Sequence, residues 1–119
     1  MKNNIRLLFA AAALCAAGLA QAALDRIEEA YEVDLANVTL PGYENGQVLL
    51  RPCDDCDRVA LKVDAGTRYL VDGADEAMTL KEFQFAASTV VNRYDGLVTV
   101  IFDTSSLAVK RLILNAPGL

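Results

Sequence analysis

The sequence predicts an α+β domain in which one main helix, over about residues 79–93, packs on five or six strands. The strands are expected to form either a small antiparallel sheet or a partly open β-barrel. Two observations support this fold class. Most of the chain after residue 46 consists of short segments in which apolar and polar residues alternate, separated by turns rich in Asp and Gly. A single longer segment, which follows Thr79, instead has apolar residues at helical spacing.

The first 22 residues have the pattern of a cleaved secretory signal peptide. Lys2 and Arg6 precede an apolar run over residues 7–19, and the small-x-small sequence Ala20-Gln21-Ala22 follows the run. The run of 13 residues is shorter than the roughly 20 residues that a membrane-spanning helix needs. We therefore expect a signal peptide over residues 1–22, cleavage after Ala22, and a mature chain that is exported to a periplasm.

Residues 23–119 are expected to form a single exported domain. The complete chain carries 11 basic and 16 acidic residues, which gives a net charge of -5. Loss of Lys2 and Arg6, without loss of any acidic residue, takes the net charge of the mature chain to -7. An acidic surface repels nucleic-acid backbones and anionic membranes. We therefore expect a protein or small-molecule partner, no nucleic acid, and no stable membrane insertion after signal cleavage.

The segment between residues 23 and 40 is compatible with both kinds of regular structure. Leucine, isoleucine and tyrosine recur at helical spacing, whereas the sequences YEVDL and NVTL alternate like strands. The spacing favours a short helix over residues 24–32, followed by a strand over residues 33–40. Pro41 and Gly42, with the polar residues after them, are expected to end that strand.

Two predicted strands flank a turn that contains two cysteines. The sequence QVLLR leads into the turn, and DRVALKV leaves it with Val59, Leu61 and Val63 on one face. The sequence TRYLVD then forms another short strand, with Tyr69 and Val71 on one face. This alternation is typical of strands that are buried on one side only.

A capping box predicts where the main helix begins. Thr79 occupies the N-cap position and Glu82 follows three residues later, so the hydroxyl and the carboxylate can each accept a hydrogen bond from a backbone N–H. Asp95 and Gly96 mark the end of the helix, near residue 93. The apolar residues expected to pack on the sheet are Leu80, Phe83, Ala87, Val90, Val91 and Tyr94.

Two last strands, LVTVIFD and LAVKRLIL, are joined by a short hairpin loop at Thr104-Ser105-Ser106. Together with TRYLVDGADEAMTLKEF, these sequences resemble small exported β-domains of proteobacteria, in which a T-x-hydrophobic-x-V-x-G strand precedes a leucine-containing connector and a V-x-V strand. The resemblance covers residues 67–114 and implies an exported, β-rich fold. It implies no activity and no functional residue, and it does not extend to the cysteine turn.

The composition argues against an enzyme. The chain has no histidine, which is the commonest acid–base group at neutral pH and the commonest metal ligand. It also lacks nucleotide-binding glycine patterns and a Gly-x-Ser-x-Gly nucleophile turn. We therefore assign no catalytic residue and expect no cofactor. Asp54, Asp55 and Asp57 are interpreted as turn residues rather than as an acid–base pair.

The sequence RPCDDCD, residues 51–57, is the stretch best suited to specific chemistry. After signal cleavage Cys53 and Cys56 are the only two thiols, so they are expected to pair in an oxidising compartment. A bridge that closes so short a loop fixes the geometry of a tight turn. The candidate site residues are Cys53 and Cys56, with Arg51, Pro52, Asp54, Asp55, Asp57 and Arg58 as neighbours.

Two other roles for the cysteine pair stay open. A redox-active pair needs a stabilised thiolate, which the three aspartates oppose and which Arg51 and Arg58 only partly favour. A metal site at Cys53 and Cys56 has the correct local spacing, but the second half of a four-cysteine site is absent from the sequence. The pattern favours a small periplasmic, non-enzymatic binding or accessory domain with a disulfide-clipped turn. The alternative is a thiol–disulfide or metal-handling accessory protein.

Overall fold

The computed structural model of the chain describes residues 28–119, which form an α+β fold with seven strands and one α-helix. The helix, α1, covers Leu80–Ser88, and two short 3-10 turns cover Leu35–Asn37 and Arg93–Asp95. The predicted α+β class with one main helix is confirmed. The signal peptide expected over residues 1–22 lies outside the described residues. The strands are β1 (Glu28–Asp34), β2 (Val38–Thr39), β3 (Gln47–Leu50), β4 (Val59–Lys62), β5 (Arg68–Val71), β6 (Leu97–Asp103) and β7 (Val109–Asn115).

The strands of residues 28–119 divide between two sheets, with the orders β1-β6-β7-β5 and β2-β3-β4. Neighbouring strands are antiparallel except β5 and β7, which run parallel with Tyr69 opposite Leu112. The prediction of one antiparallel sheet or partly open barrel with five or six strands is therefore wrong: this part of the chain has seven strands, no closed barrel and one parallel pair. The long connection from β5 to β7, which includes α1, permits the parallel pairing.

The turn between β6 and β7 joins the two sheets. Lys62, at the end of β4, donates its backbone N–H to the carbonyl oxygen of Leu107 at 3.0 Å and forms a parallel bridge with Ala108. Leu107 has a φ of 59°, which is uncommon for a residue with a side chain. The predicted loop at 104–106 is confirmed, and one edge of the smaller sheet is attached to it.

An aspartate at the end of β6 orders this turn. The Asp103 carboxylate accepts hydrogen bonds from the hydroxyl and the backbone N–H of Ser105, at 2.6 and 2.8 Å, and from the backbone N–H of Ser106 at 3.2 Å. The Ser105 hydroxyl bond, followed by these two backbone bonds, lowers the pKa of the Asp103 carboxyl. Aspartate and serine therefore define the loop, as their preference for such turns predicts.

The first described strand replaces a predicted helix. β1 pairs with β6 along its whole length, and the ring of Tyr31 stacks on that of Phe102 with 5.2 Å between the centroids. The helix expected over residues 24–32 is therefore wrong wherever the structure describes it. The strand expected over residues 33–40 is also interrupted, because the chain makes a 3-10 turn at Leu35–Asn37.

The predicted N-cap of α1 is confirmed. The hydroxyl oxygen of Thr79 accepts a hydrogen bond from the backbone N–H of Glu82 at 3.2 Å. The same hydroxyl lies 3.0 Å from a carboxylate oxygen of Glu82 and donates to it. The cap satisfies a backbone donor that has no partner within the helix and sets its first turn.

The C-terminus of α1 lies at Ser88 rather than near residue 93. The hydroxyls of Ser88 and Thr89 donate to carbonyl oxygens three residues earlier, at 2.6 and 2.7 Å, and so occupy acceptors at the end of the helix. Because the helix ends early, Val91 and Tyr94 are exposed instead of facing the sheet.

Both sheets and α1 contribute side chains to the core. Phe83 of α1 is fully buried, and its ring lies 5.4 Å from that of Tyr69 on β5. Across residues 28–119, no helix has both the length and the apolar character needed to cross a membrane. The buried apolar residues are Val33, Leu35, Val38, Val48, Leu50, Leu61, Val63, Tyr69, Leu80, Phe83, Ala87, Val98, Val100, Phe102, Val109, Leu112 and Leu114.

Candidate functional site

The cysteine turn connects β3 to β4, as the sequence predicts. The backbone N–H of Cys56 donates to the carbonyl oxygen of Cys53 at 3.1 Å, which closes a four-residue turn. Asp54 and Asp55 occupy the two central positions, and both side chains are exposed. Their position agrees with their interpretation as turn residues, because aspartate is favoured in tight turns.

A disulfide joins the two ends of this turn. Cys53 and Cys56 are bonded, with 5.0 Å between their Cα atoms. Cys53 is exposed and Cys56 is half-buried, so the bridge lies at the surface of the domain. Pro52 is half-buried directly before it and fixes the backbone φ at the approach to the turn. The predicted disulfide is present, and the hairpin is closed covalently near its tip.

Two arginines lie on either side of the clipped turn and line one pocket. Arg51 follows β3 and is half-buried, whereas Arg58 precedes β4 and is exposed. The pocket has a volume of about 180 Å³, and Asn37 and Thr39 contribute polar groups to its wall. The backbone N–H of Arg51 donates to the carbonyl oxygen of Asn37 at 3.0 Å, which holds the end of β3 against the start of β2.

The guanidinium groups of these arginines are available for a ligand. Within residues 28–119, neither Arg51 nor Arg58 forms a side-chain hydrogen bond or an ion pair. By contrast, the guanidinium of Arg93 donates to the carbonyl oxygens of Leu35 and Val38, at 3.1 and 3.4 Å, and so stabilises the fold. The pair beside the disulfide can therefore bind an anion through charge-assisted hydrogen bonds.

The surroundings of the cysteines do not favour the other two roles. The element that follows the turn is the strand β4, so in the described part of the chain no helix begins directly after the cysteines to stabilise a thiolate. Asp57, like the two central aspartates, is exposed beside them. Among residues 28–119, no group of three or more acidic or cysteine side chains is placed to hold a metal ion. Both sulfurs of Cys53 and Cys56 are also engaged in the disulfide.

Two parts of the molecule with polar groups were not predicted as sites. Asn37 and Thr39 reach the arginine pocket because β2 pairs with β3, with Val38 opposite Leu50. A second cavity lies beside Tyr69, whose hydroxyl is buried. The sequence could have indicated the first through the alternation of NVTL, but the second depends on how distant loops meet.

Replacement of both cysteines by serine (Cys53→Ser with Cys56→Ser) should leave the domain folded and lower its free energy of unfolding by about 1–3 kcal/mol. The loss is small because the disulfide constrains only a short loop in the unfolded chain. Urea denaturation of the variant and of the oxidised parent measures the difference, and a thiol assay of the parent should find neither cysteine free. A variant that cannot fold would show that the bridge does more than hold the turn.

Comparisons with known proteins do not assign a family to this chain. No protein-family model matches it, and no curated protein and no solved structure matches it either. The resemblance to exported β-domains of proteobacteria therefore stays a prediction, and the evidence for function comes from the residues of the site itself.

Proposed function

We propose that the chain is a small exported binding domain, without catalytic activity, that uses the clipped β3–β4 turn to hold an anionic group of its ligand. Arg51 and Arg58 are the binding residues, and the Cys53–Cys56 disulfide fixes the turn between them. The observation that carries the proposal is that both arginines line the same polar pocket without any ion pair or side-chain hydrogen bond in the described part of the chain.

Guanidinium groups suit this role because they stay charged and present several N–H donors in one plane. A carboxylate or phosphate can accept two of these donors at once, which fixes its orientation. Thr39 and Asn37 add neutral polar groups on the wall formed by β2. A pocket of about 180 Å³ is smaller than the roughly 300–1,000 Å³ of drug-sized sites, so it suits one charged group of a larger ligand.

The disulfide contributes by preorganisation. An arginine on a mobile loop loses conformational freedom when its ligand binds, at a cost of about 0.5–1.5 kcal/mol for each immobilised side chain. Ordering of the loop backbone is a further cost, and the covalently closed turn reduces it, because the disulfide already restrains the backbone between Cys53 and Cys56. This accounts for a disulfide in a loop too short to add much to overall stability.

The nearby aspartates oppose an anion and allow a test of the charge argument. Asp54, Asp55 and Asp57 are exposed close in sequence to the two arginines, so their repulsion weakens anion binding. We expect the variant Asp54→Asn with Asp55→Asn to bind inorganic phosphate more tightly than the parent. An exposed acid remote in sequence, replaced as Glu28→Gln, should have a smaller effect.

Titration of the purified domain with inorganic phosphate and with acetate, at constant ionic strength, tests the site directly. Arg51→Gln should weaken binding about tenfold, because it removes charge-assisted hydrogen bonds from a half-buried group. Arg58→Gln should weaken it about threefold, since this side chain is exposed. The double cysteine variant should lose about 2- to 10-fold through the ordering cost.

Arg111→Gln is the matched control, because Arg111 is exposed on β7 and does not line the pocket. If phosphate and acetate do not bind, or if Arg111→Gln weakens binding as much as Arg51→Gln, the proposed site is wrong. Changes in the protein's chemical shifts during a nuclear magnetic resonance titration give the affinities. The same spectra report whether each variant is folded.

A thiol–disulfide exchange protein is the rival function, favoured by the exposure of Cys53 at the surface. The aspartates and the absence of an adjoining helix in the described region argue for a structural bridge. A measured reduction potential below about -300 mV is expected for such a bridge, whereas about -200 to -120 mV indicates an exchanging pair. A mixed disulfide trapped in cells with a single-cysteine variant would also support the rival.

Export to a periplasm is part of the proposal and is supported by the predicted signal peptide over residues 1–22. A disulfide at Cys53 and Cys56 is compatible with an oxidising compartment. Protein recovered from an exporting bacterial host should have the intact mass of a chain that begins at Ala23. Recovery of the uncleaved chain from the cytosol, with Cys53 and Cys56 reduced, would contradict this part of the proposal.

A further inference from the structure

A second cavity, whose lining includes no residue of the cysteine turn, lies between β5 and the segment that leads into α1. Its volume is about 200 Å³. Tyr69 of β5 forms one wall and Met78 and Leu80 form another, while Glu44 and Asp64 approach from loops. The backbone N–H of Met78 donates to the carbonyl oxygen of Tyr69 at 2.8 Å, so the two walls are held together.

The hydroxyl of Tyr69 is the unusual feature of this cavity. The side chain is 95% buried, and its ring is held beside that of Phe83 at 5.4 Å. The hydroxyl oxygen is the only buried side-chain polar atom in residues 28–119 without a hydrogen-bond partner. Thr67, the other buried residue with a hydroxyl on this wall, accepts from the Asp64 N–H at 3.0 Å and donates to the Val109 carbonyl oxygen at 2.8 Å. Buried polar groups are normally paired, so the unpaired hydroxyl points to a ligand.

Two carboxylates give the cavity a negative potential. One oxygen of Asp64 accepts the backbone N–H of Gly66 at 2.8 Å, while its second oxygen and the Glu44 carboxylate accept no hydrogen bond within the described residues. Burial, and then the charges of Glu44 and Asp64, raise the pKa of the Tyr69 hydroxyl. The hydroxyl therefore stays neutral at physiological pH, and the cavity repels anions.

We propose that this cavity binds a primary ammonium group, with Tyr69, Glu44 and Asp64 as its acceptors. An alkylammonium carries three N–H donors and no acceptor. Tyr69, Glu44 and Asp64 all line the cavity, and three of their oxygens accept no hydrogen bond within the described residues: the Tyr69 hydroxyl, the Glu44 carboxylate and the second oxygen of Asp64. The apolar side chains of Met78 and Leu80 line the remaining surface and can contact the alkyl stem.

Other cations fit these groups less well. A quaternary ammonium has no N–H to donate to the Tyr69 hydroxyl, and the five planar donors of a guanidinium exceed the three acceptors. The donor set of two carboxylates and a neutral phenol is also poor for a metal ion, because residues 28–119 place no third acidic or cysteine ligand nearby. The small volume excludes a large metabolite. This site does not depend on the anion pocket beside the disulfide.

The test is a titration of the intact mature domain with n-butylammonium chloride at constant ionic strength, followed through the backbone amide resonances of the cavity residues. We expect saturable binding that Tyr69→Phe weakens about tenfold, because this variant keeps the ring against Phe83 and removes only the hydroxyl. Glu44 is exposed, so Glu44→Gln does not disturb the core, and this variant should weaken the binding of n-butylammonium by a similar factor. Tyr94→Phe and Glu28→Gln lie outside the cavity and should have no effect.

A second comparison distinguishes a free amine from the lysine side chain of a protein partner. Tighter binding of Nα-acetyl-lysine amide than of n-butylammonium assigns the cavity to a lysine, and the reverse order assigns it to a free amine. Either order supports the proposal. Equal binding of tetramethylammonium and n-butylammonium, no saturable binding of n-butylammonium, or unchanged affinity in both Tyr69→Phe and Glu44→Gln would overturn it.

Discussion

Replacement of Phe83 by alanine is expected to lower the free energy of unfolding by about 3–5 kcal/mol. Phe83 is fully buried, and its ring packs against that of Tyr69, so α1 is joined to the larger sheet through this side chain. Truncation removes apolar contacts and leaves a cavity that the rigid strand beside it can fill only in part. For a domain of this size the loss is a large share of the total stability, which is about 5–15 kcal/mol.

The same helix provides a matched control for Phe83→Ala. Phe85 is two residues later and is 72% exposed, so Phe85→Ala makes the same chemical change without opening a core cavity. We expect it to change the free energy of unfolding by less than about 0.5 kcal/mol. Urea denaturation of both variants measures the difference. Similar losses at the two positions would show that α1 presents a different face to the sheet.

The strands between residues 47 and 115 were predictable because their pattern is local. Alternating apolar residues identify the buried face of each strand, and Asp- and Gly-rich turns separate them. The start of α1 was predictable for a similar reason, since Thr79 and Glu82 form a cap within one helical turn. The end of α1 was not predictable, because apolar residues continue at helical spacing beyond Ser88. The helix nevertheless ends there, where the hydroxyls of Ser88 and Thr89 donate to its last carbonyl oxygens.

Strand pairing was harder to predict because it depends on residues far apart in the chain. The segment that contains Tyr31 has an ambiguous pattern, and pairing with β6 decides it, through contacts such as the stacking of Tyr31 on Phe102. The paired residues of β1 and β6 lie far apart in sequence: Asp34 is paired with Leu97 and Glu28 with Asp103. The parallel pairing of β5 with β7 is likewise absent from any local pattern.

One of the two proposed sites could be predicted from local sequence, and the other could not. Cys53, Cys56, Arg51 and Arg58 are close in sequence, so their grouping at one turn could be predicted from the chain itself. The ammonium cavity could not, although alternation correctly placed Tyr69 on the buried face of its strand. An unpaired hydroxyl is a property of the whole fold, since it depends on which backbone and side-chain groups the surrounding loops bring within reach.

The 3-10 turn at Leu35–Asn37, which links β1 of one sheet to β2 of the other, gives a second large expected effect, at Leu35. This residue is fully buried in the 3-10 turn between β1 and β2, and its backbone N–H donates to the carbonyl oxygen of Gly96 at 2.8 Å. The carbonyl oxygen of Leu35 accepts a hydrogen bond from the guanidinium of Arg93 at 3.1 Å. Leu35→Ala is expected to lower the free energy of unfolding by about 2–5 kcal/mol, because the hydrogen bonds fix the backbone and limit collapse around the cavity.

Gly96 makes this prediction more specific through a double-mutant cycle. A Cβ atom at Gly96 would lie 3.1 Å from Cβ and 3.2 Å from Cδ2 of Leu35, so Gly96→Ala alone should be destabilising by about 1–3 kcal/mol through overpacking. Once Leu35→Ala has removed Cδ2, the new methyl group loses one close contact and fills part of the cavity. The two changes together should therefore cost less than the sum of the single changes, by about 0.5 kcal/mol or more.

Val91→Ala, at a fully exposed position, is the control for truncation without a cavity. Additivity of the two changes to within about 0.3 kcal/mol would mean that Leu35 and Gly96 do not pack against each other.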